Sequence, residues 1–162
     1  MQINTAGKSF RIIIWVLMIF YLLLLTKLIM FKRPPGEIKN LLLHQSGWRT
    51  IKKSMHVANI IPFHTIRLYL TTKDEETNPL TNLLGNIAGF IPMGLLLPVL
   101  FKRIRTAFKT IAIVFLISLC FETFQLLTGL GYFDVDDLLL NTVGGIIGYF
   151  CFAVCVRPGL IK

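Results

Sequence analysis

Glu122 and Gln125 stand three residues apart in a long apolar run, and Asp134, Asp136 and Asp137 follow within a short loop that leads to Asn141. Three carboxylates so close can raise one another's pKa, so that one serves as an acid and another as a base. Carboxylate and amide oxygens also suit a hard cation, but this spacing lacks the length and turn glycine of an EF-hand, and no metal is expected. The blander reading is capping: Asp136 or Asp137 at the start of the next helix accepts backbone N–H bonds and offsets its dipole. Asp134, upstream of that cap, then needs another explanation. His44, His56 and His64 match no helical metal pair, and Cys120, Cys151 and Cys155 fall inside apolar runs without metal-type spacing. There is no phosphate-cradling glycine loop and no nucleophile elbow, so no cofactor is expected.

The elements that must position these groups are membrane spans. Of 162 residues, 54% are hydrophobic and only 15% charged, against roughly 25% charged in soluble domains. A bilayer core of about 30 Å needs about 20 apolar residues per helix. Segments at about 10–31, 82–101, 106–128 and 138–156 meet that length, with a loop at about 32–81 between the first two. The expectation is an all-α integral membrane protein, one domain over 1–162: a bundle of about four transmembrane helices with a partly structured external loop. The first span lacks a small-residue cleavage site and reads as a retained anchor. Its one internal charge, Lys27, lies near its end, where it snorkels to the headgroups or pairs with Glu122. In the loop, Asn59-x-x-Pro62-Phe63 with Ile66, Leu68 and Leu70 is too apolar to stay solvated, so it lies on the outer surface or folds back over the bundle. The run from Lys73 to Glu76 reads as a solvated turn.

The net charge of +9 would suggest nucleic acid in a soluble chain, but the basic residues flank apolar runs, and no nucleic-acid partner is expected. Membrane lipids are the expected counter-charge. Lys102, Arg103, Arg105 and Lys109 mark the connection between spans two and three as cytoplasmic. With four spans, both termini join it there, and the first loop and the acidic loop lie outside. Glu122 then sits about 9 Å from the external end of span three, with Asn86 about 6 Å inside span two and Asn141 about 5 Å inside span four. Alternation of helix direction therefore brings Asn82, Asn86, Glu122, Gln125, Asp134, Asp136, Asp137 and Asn141 to one side of the membrane, whichever side that is. Gly85 and Gly89, and Gly144 and Gly148, form small-residue ridges that permit close helix packing. Pro92 and Pro98 remove hydrogen-bond donors within span two and should bend it.

These residues resemble the VanZ-like membrane protein family. The resemblance covers about 59–148 and rests on Asn59-x-x-Pro62-Phe63, Asn86-x-x-x-Phe90-x-Pro92-x-Gly94, Glu122-x-x-Gln125, and Phe133-Asp134-x-Asp136-Asp137-x-x-x-Asn141-x-x-Gly144-x-x-x-Gly148. Each piece is weak alone; in this order across these spans they are specific. The family's Arg just before the acidic loop is replaced here by Leu130-Gly131-Tyr132. The resemblance implies a multi-pass protein of the Gram-positive cell envelope, linked in its founding member to low-level teicoplanin resistance. It implies no known reaction. The leading expectation is a protein that binds a lipid-linked cell-wall precursor or a lipoglycopeptide at an external polar cleft formed by Asn59, Asn86, Glu122, Gln125, Asp134, Asp136, Asp137 and Asn141. An intramembrane enzyme using its carboxylates comes second and a small transporter last, since the polar groups keep to one side. The glycine ridges also leave room for a homo-oligomer.

Overall fold

A computed structural model of the chain describes residues 5–30, 47–71 and 79–156. Among them are six α-helices: α1 (Thr5–Met30), α2 (Trp48–Val57), α3 (His64–Thr71), α4 (Pro79–Leu100), α5 (Ala107–Thr128) and α6 (Val135–Cys151). A short 3-10 turn, Lys102–Ile104, joins α4 to α5, and α6 runs on as a π-helical turn, Phe152–Val156. Four helices, α1, α4, α5 and α6, are long and apolar enough to cross a membrane, and the molecule is an all-α membrane bundle. His44 and the Lys73 to Glu76 turn lie outside the described residues.

Three helix starts differ from the sequence reading, the first being α1, which begins at Thr5 rather than near Phe10. α4 begins at Pro79 and keeps both Pro92 and Pro98 inside one continuous helix. α6 begins at Val135 rather than near 138, because Asp134 is its N-cap and accepts a bond from the Asp136 amide. Asp136 and Asp137 are thereby first-turn residues, which corrects the assignment of the cap to one of them.

The most extensive helix contact is α4 against α6, and glycine makes it possible. A Cβ at Gly144 would collide with the Ile87 carbonyl, at Gly148 with that of Ile91, and at Gly94 with that of Gly145. The glycine hydrogens in those places face carbonyl oxygens, an arrangement that Cα–H···O contacts reinforce. Gly85 corrects the expected ridge: nothing lies within 4 Å of a Cβ there, and at Gly89 the nearest atom is Leu25 Cδ1 at 3.4 Å. Gly145, which the ridge pattern passed over, backs onto Val114 of α5, whose Cγ1 would lie only 2.6 Å from a Cβ placed there.

α5 turns its polar stripe inward. Thr110, Val114, Ser118, Glu122 and Gln125 are buried, at three- and four-residue spacing on one face, while Phe108, Leu116, Phe124 and Leu127 are exposed. In lipid this is the favourable arrangement, because polar side chains find partners only inside the bundle. α1 closes the bundle by packing Met18, Leu25 and Ile29 onto Phe90, Met93, Leu97 and Val114. Two polar ties fix it: the Tyr21 hydroxyl donates to the Gly89 carbonyl at 2.7 Å and Gln125 Nε2 donates to the Ile29 carbonyl at 3.0 Å. At the other end of α1, Trp15 meets Phe101 edge to face, with centroids 5.5 Å apart.

The described part of the loop, 47–71, folds back over the bundle. α2 packs on α5, and α3 on α4 and α6. A short parallel bridge pairs Asn59 with Asp134: the Asn59 amide donates to the Phe133 carbonyl at 2.8 Å, and the Val135 amide to the Asn59 carbonyl at 3.0 Å.

Candidate functional site

The acidic loop is positioned by the end of α5. Gly129 adopts the left-handed conformation at φ 69°, its amide donating back to the Gln125 carbonyl at 2.9 Å, a common way to end a helix. The chain then doubles back so that the Asp134 amide donates to Glu122 Oε2 at 3.0 Å. Glu122 is only 2% exposed, so its carboxylate meets its cost of burial partly through this bond. Lys27, the partner considered for it, is exposed on α1.

Each aspartate then ties a different element. Asp134 Oδ1 accepts from the Asp136 amide at 2.8 Å and from Asn59 Nδ2 at 2.9 Å, and its Oδ2 accepts from the Thr65 hydroxyl at 2.6 Å. Asp136, fully buried, sits on the N-terminus of α3, accepting from the Phe63 amide at 2.5 Å and the Ile66 amide at 3.1 Å. A carboxylate there also complements the helix dipole. It holds Phe63 at φ 66°, a conformation that costs a non-glycine residue about 1–2 kcal/mol. Asp137 accepts a short bond from Asn86 Nδ2 and so reaches α4.

Asn59, Glu122, Asp134 and Asp136 are therefore one bonded network that clamps Asn59 and α3 onto α5 and α6, and the adjacent Asp137 joins α6 to Asn86 of α4. Both oxygens of Asp134 and of Asp136 accept from N–H or O–H donors, and among the described residues no group of three or more His, Cys, Asp or Glu is set to hold an ion. Two expected members stand apart. Gln125 reaches α1 instead, and Asn141 lies deeper, its Nδ2 donating to Ser118 Oγ at 2.9 Å. Thr65 and Ser118 were not singled out from sequence. Ser118 precedes Glu122 by one helical turn, and that spacing was the available signal; Thr65 carried none.

Beside the clamp a cleft of about 220 Å³ opens between α1, α4 and α6. Leu25, Leu28 and Ile29 form one wall, Gly85 and Gly89 the other, Thr81, Asn82 and Asn86 its polar side, and Phe90 and Asn141 its base. Thr81, Asn82 and Gly85 are exposed whereas Phe90 and Asn141 are buried, so the cleft runs inward from its mouth at the level of the acidic loop. Asn141 Oδ1 is buried and has no hydrogen-bond partner. Leaving such an acceptor unmet costs about 1–3 kcal/mol. Pockets for whole drug-sized molecules run to about 300–1,000 Å³. This one accommodates a headgroup fragment or the first part of an acyl chain.

The model of the family described as VanZ/LLP1 matches residues 3–156. Protein VanZ of Enterococcus faecium is 36% identical over 97 residues, which cover 60% of this chain and 59% of that protein. No solved structure matches the chain at a significant level. The family match spans the loop, the acidic clamp and all four long helices, and the chain belongs to the VanZ/LLP1 family of membrane proteins.

Proposed function

We propose that this protein binds a lipid-linked or amphiphilic ligand in the α1, α4 and α6 cleft, with the cleft mouth outside the cell and both termini in the cytoplasm. The orientation rests on Lys102, Arg103 and Arg105 in the short connection at the opposite end. The observation that carries the reading is a cleft with an amide-bearing side and an apolar wall, lined at its base by Asn141, whose Oδ1 is buried and without a partner. A ligand hydroxyl or amine reaching Asn141 would satisfy the acceptor, while its chain lies against Leu25 and Leu28. The family resemblance supplies two candidates, the lipoglycopeptide teicoplanin and a lipid-linked cell-wall precursor. Either one, held at the membrane surface, would alter the drug's access to its target and so contribute to resistance. An intramembrane enzyme gains less support, because Asp134 and Asp136 already spend both oxygens on structural bonds. A transporter gains less as well, since the described carboxylates, Glu122, Asp134, Asp136 and Asp137, keep to one end.

Native mass spectrometry in nanodiscs tests the proposal with each ligand in turn. Wild type should carry a bound ligand of unchanged mass, and Asn141→Leu and Asn82→Leu should weaken it at the base and mouth of the cleft. A released ligand of altered mass would establish the enzyme instead. Equal binding by wild type and both variants, or none by wild type, would refute the cleft.

A further inference from the structure

At the end of the bundle opposite the acidic clamp, a second cleft of about 460 Å³ lies between the start of α1 and the α4 to α5 connection. Its rim carries Arg11, Lys102, Arg103 and Arg105, and its floor includes Ile14 and Leu100. Among the described residues no carboxylate lines it, and the four carboxylates the structure describes, Glu122, Asp134, Asp136 and Asp137, belong to the other end. Four cations thus converge without an acidic side chain among the lining residues. Arg105 is held in place: its Nε donates to the Pro98 carbonyl at 3.1 Å, and its own carbonyl accepts from the Tyr149 hydroxyl at 3.1 Å. A fixed guanidinium loses little freedom on binding and suits the planar, two-point recognition of phosphate oxygens.

Depth identifies the ligand class. The apolar spans begin at Ser9, end at Leu100 and resume at Ala107, so the cationic rim stands where hydrocarbon gives way to headgroups. The floor stands one turn deeper, in the acyl layer. Only a ligand with a phosphate at the rim and hydrocarbon below it meets both parts. We propose that this cleft is a binding site for the phosphodiester headgroup of an anionic glycerophospholipid, which supplies the missing counter-charge; basic pockets between membrane helices are suited to such lipids. The site is separate from the cleft beside the clamp and stands or falls independently of it.

The intact protein can be tested in bilayers of phosphatidylcholine with brominated lipid added as a minor component. Trp15 borders the floor through its contact with Phe101, and the only other tryptophan is Trp48, so Trp48→Phe leaves a single reporter. Brominated phosphatidylglycerol should quench Trp15 at a several-fold lower mole fraction than brominated phosphatidylcholine. Combining Arg11→Gln, Lys102→Gln and Arg103→Gln, which spares the structural Arg105, should erase that several-fold preference. Lys109→Gln, at the same end but outside the cleft, should leave most of it. Native mass spectrometry should show a retained phosphatidylglycerol adduct that the triple variant lacks. Equal quenching by the two lipids in the parent, or a preference surviving in the triple variant, would overturn the proposal. Release of the lipid by millimolar inorganic phosphate would overturn it too, in favour of a site for soluble anions.

Discussion

Asp136→Asn removes charge from the carboxylate that anchors α3. The two bonds it accepts, from Phe63 and Ile66, are charge-assisted and are each worth roughly 1.5–3 kcal/mol. Asparagine keeps one acceptor oxygen, worth about 0.5–1.5 kcal/mol as a neutral bond, and turns an amide group toward the other N–H. The net loss is about 2–4 kcal/mol. It is borne locally, because Phe63 at φ 66° can relax once it is released. The segment 59–71 should then open separately from the bundle, and a loss of that size speeds local hydrogen exchange by roughly 30- to 700-fold. Hydrogen–deuterium exchange in nanodiscs, resolved to the peptides over 59–71 and over α4 to α6, measures it. Fast exchange confined to 59–71 is the expected result. Unchanged protection there, or equal loss of protection throughout the helices, would refute the clamp.

Gly144→Ala should cost about 1–3 kcal/mol by forcing α4 and α6 apart, whereas Gly85→Ala, with open space around it, should leave stability within about 0.5 kcal/mol; unfolding in graded detergent mixtures compares them. Tyr21→Phe and Gln125→Leu each remove one tie to α1, and each should cost about 0.6 kcal/mol, the usual worth of an interhelical bond in membranes. Disulfide-trapping rates between α1 and α5 in paired-cysteine variants should rise or fall most in Gln125→Leu, the tie that joins those two helices.

The convergence of Asn86, Glu122 and the aspartates at one end was legible in the sequence, because helix direction alternates with each span and depth follows from residue count. What each group bonds was not. Asn59 and Thr65 meet Asp134 across about 70 positions of chain, Asn59 on irregular backbone and Thr65 in the first turn of a short helix, and neither setting marks a partner so far along the chain. Asp134 was not recognised as the cap because Leu138, four residues on, makes a plausible start to an apolar span, and the two aspartates between them compete for the role. The glycines show a different limit. Gly85 and Gly144 look alike as small-residue ridges, yet only the rotation of each helix decides which one faces a neighbour. For α6 the ridge turns toward α4, and for α4 it turns partly into a cleft. The polar stripe of α5 had the correct spacing throughout, but Thr110 and Ser118 are short and lie among apolar residues, so only Glu122 and Gln125 stood out.

Gly85 offers the most direct test of the central claim, because its Cβ position borders the cleft and touches nothing. Gly85→Phe should fill the cleft while leaving the contacts of α4 with α6 in place. Its affinity for teicoplanin and for lipid-linked precursor, measured in nanodiscs beside its detergent unfolding midpoint, separates a blocked site from a damaged fold. The account predicts a wild-type midpoint together with at least a tenfold loss of ligand affinity. Undiminished affinity at a wild-type midpoint would contradict it.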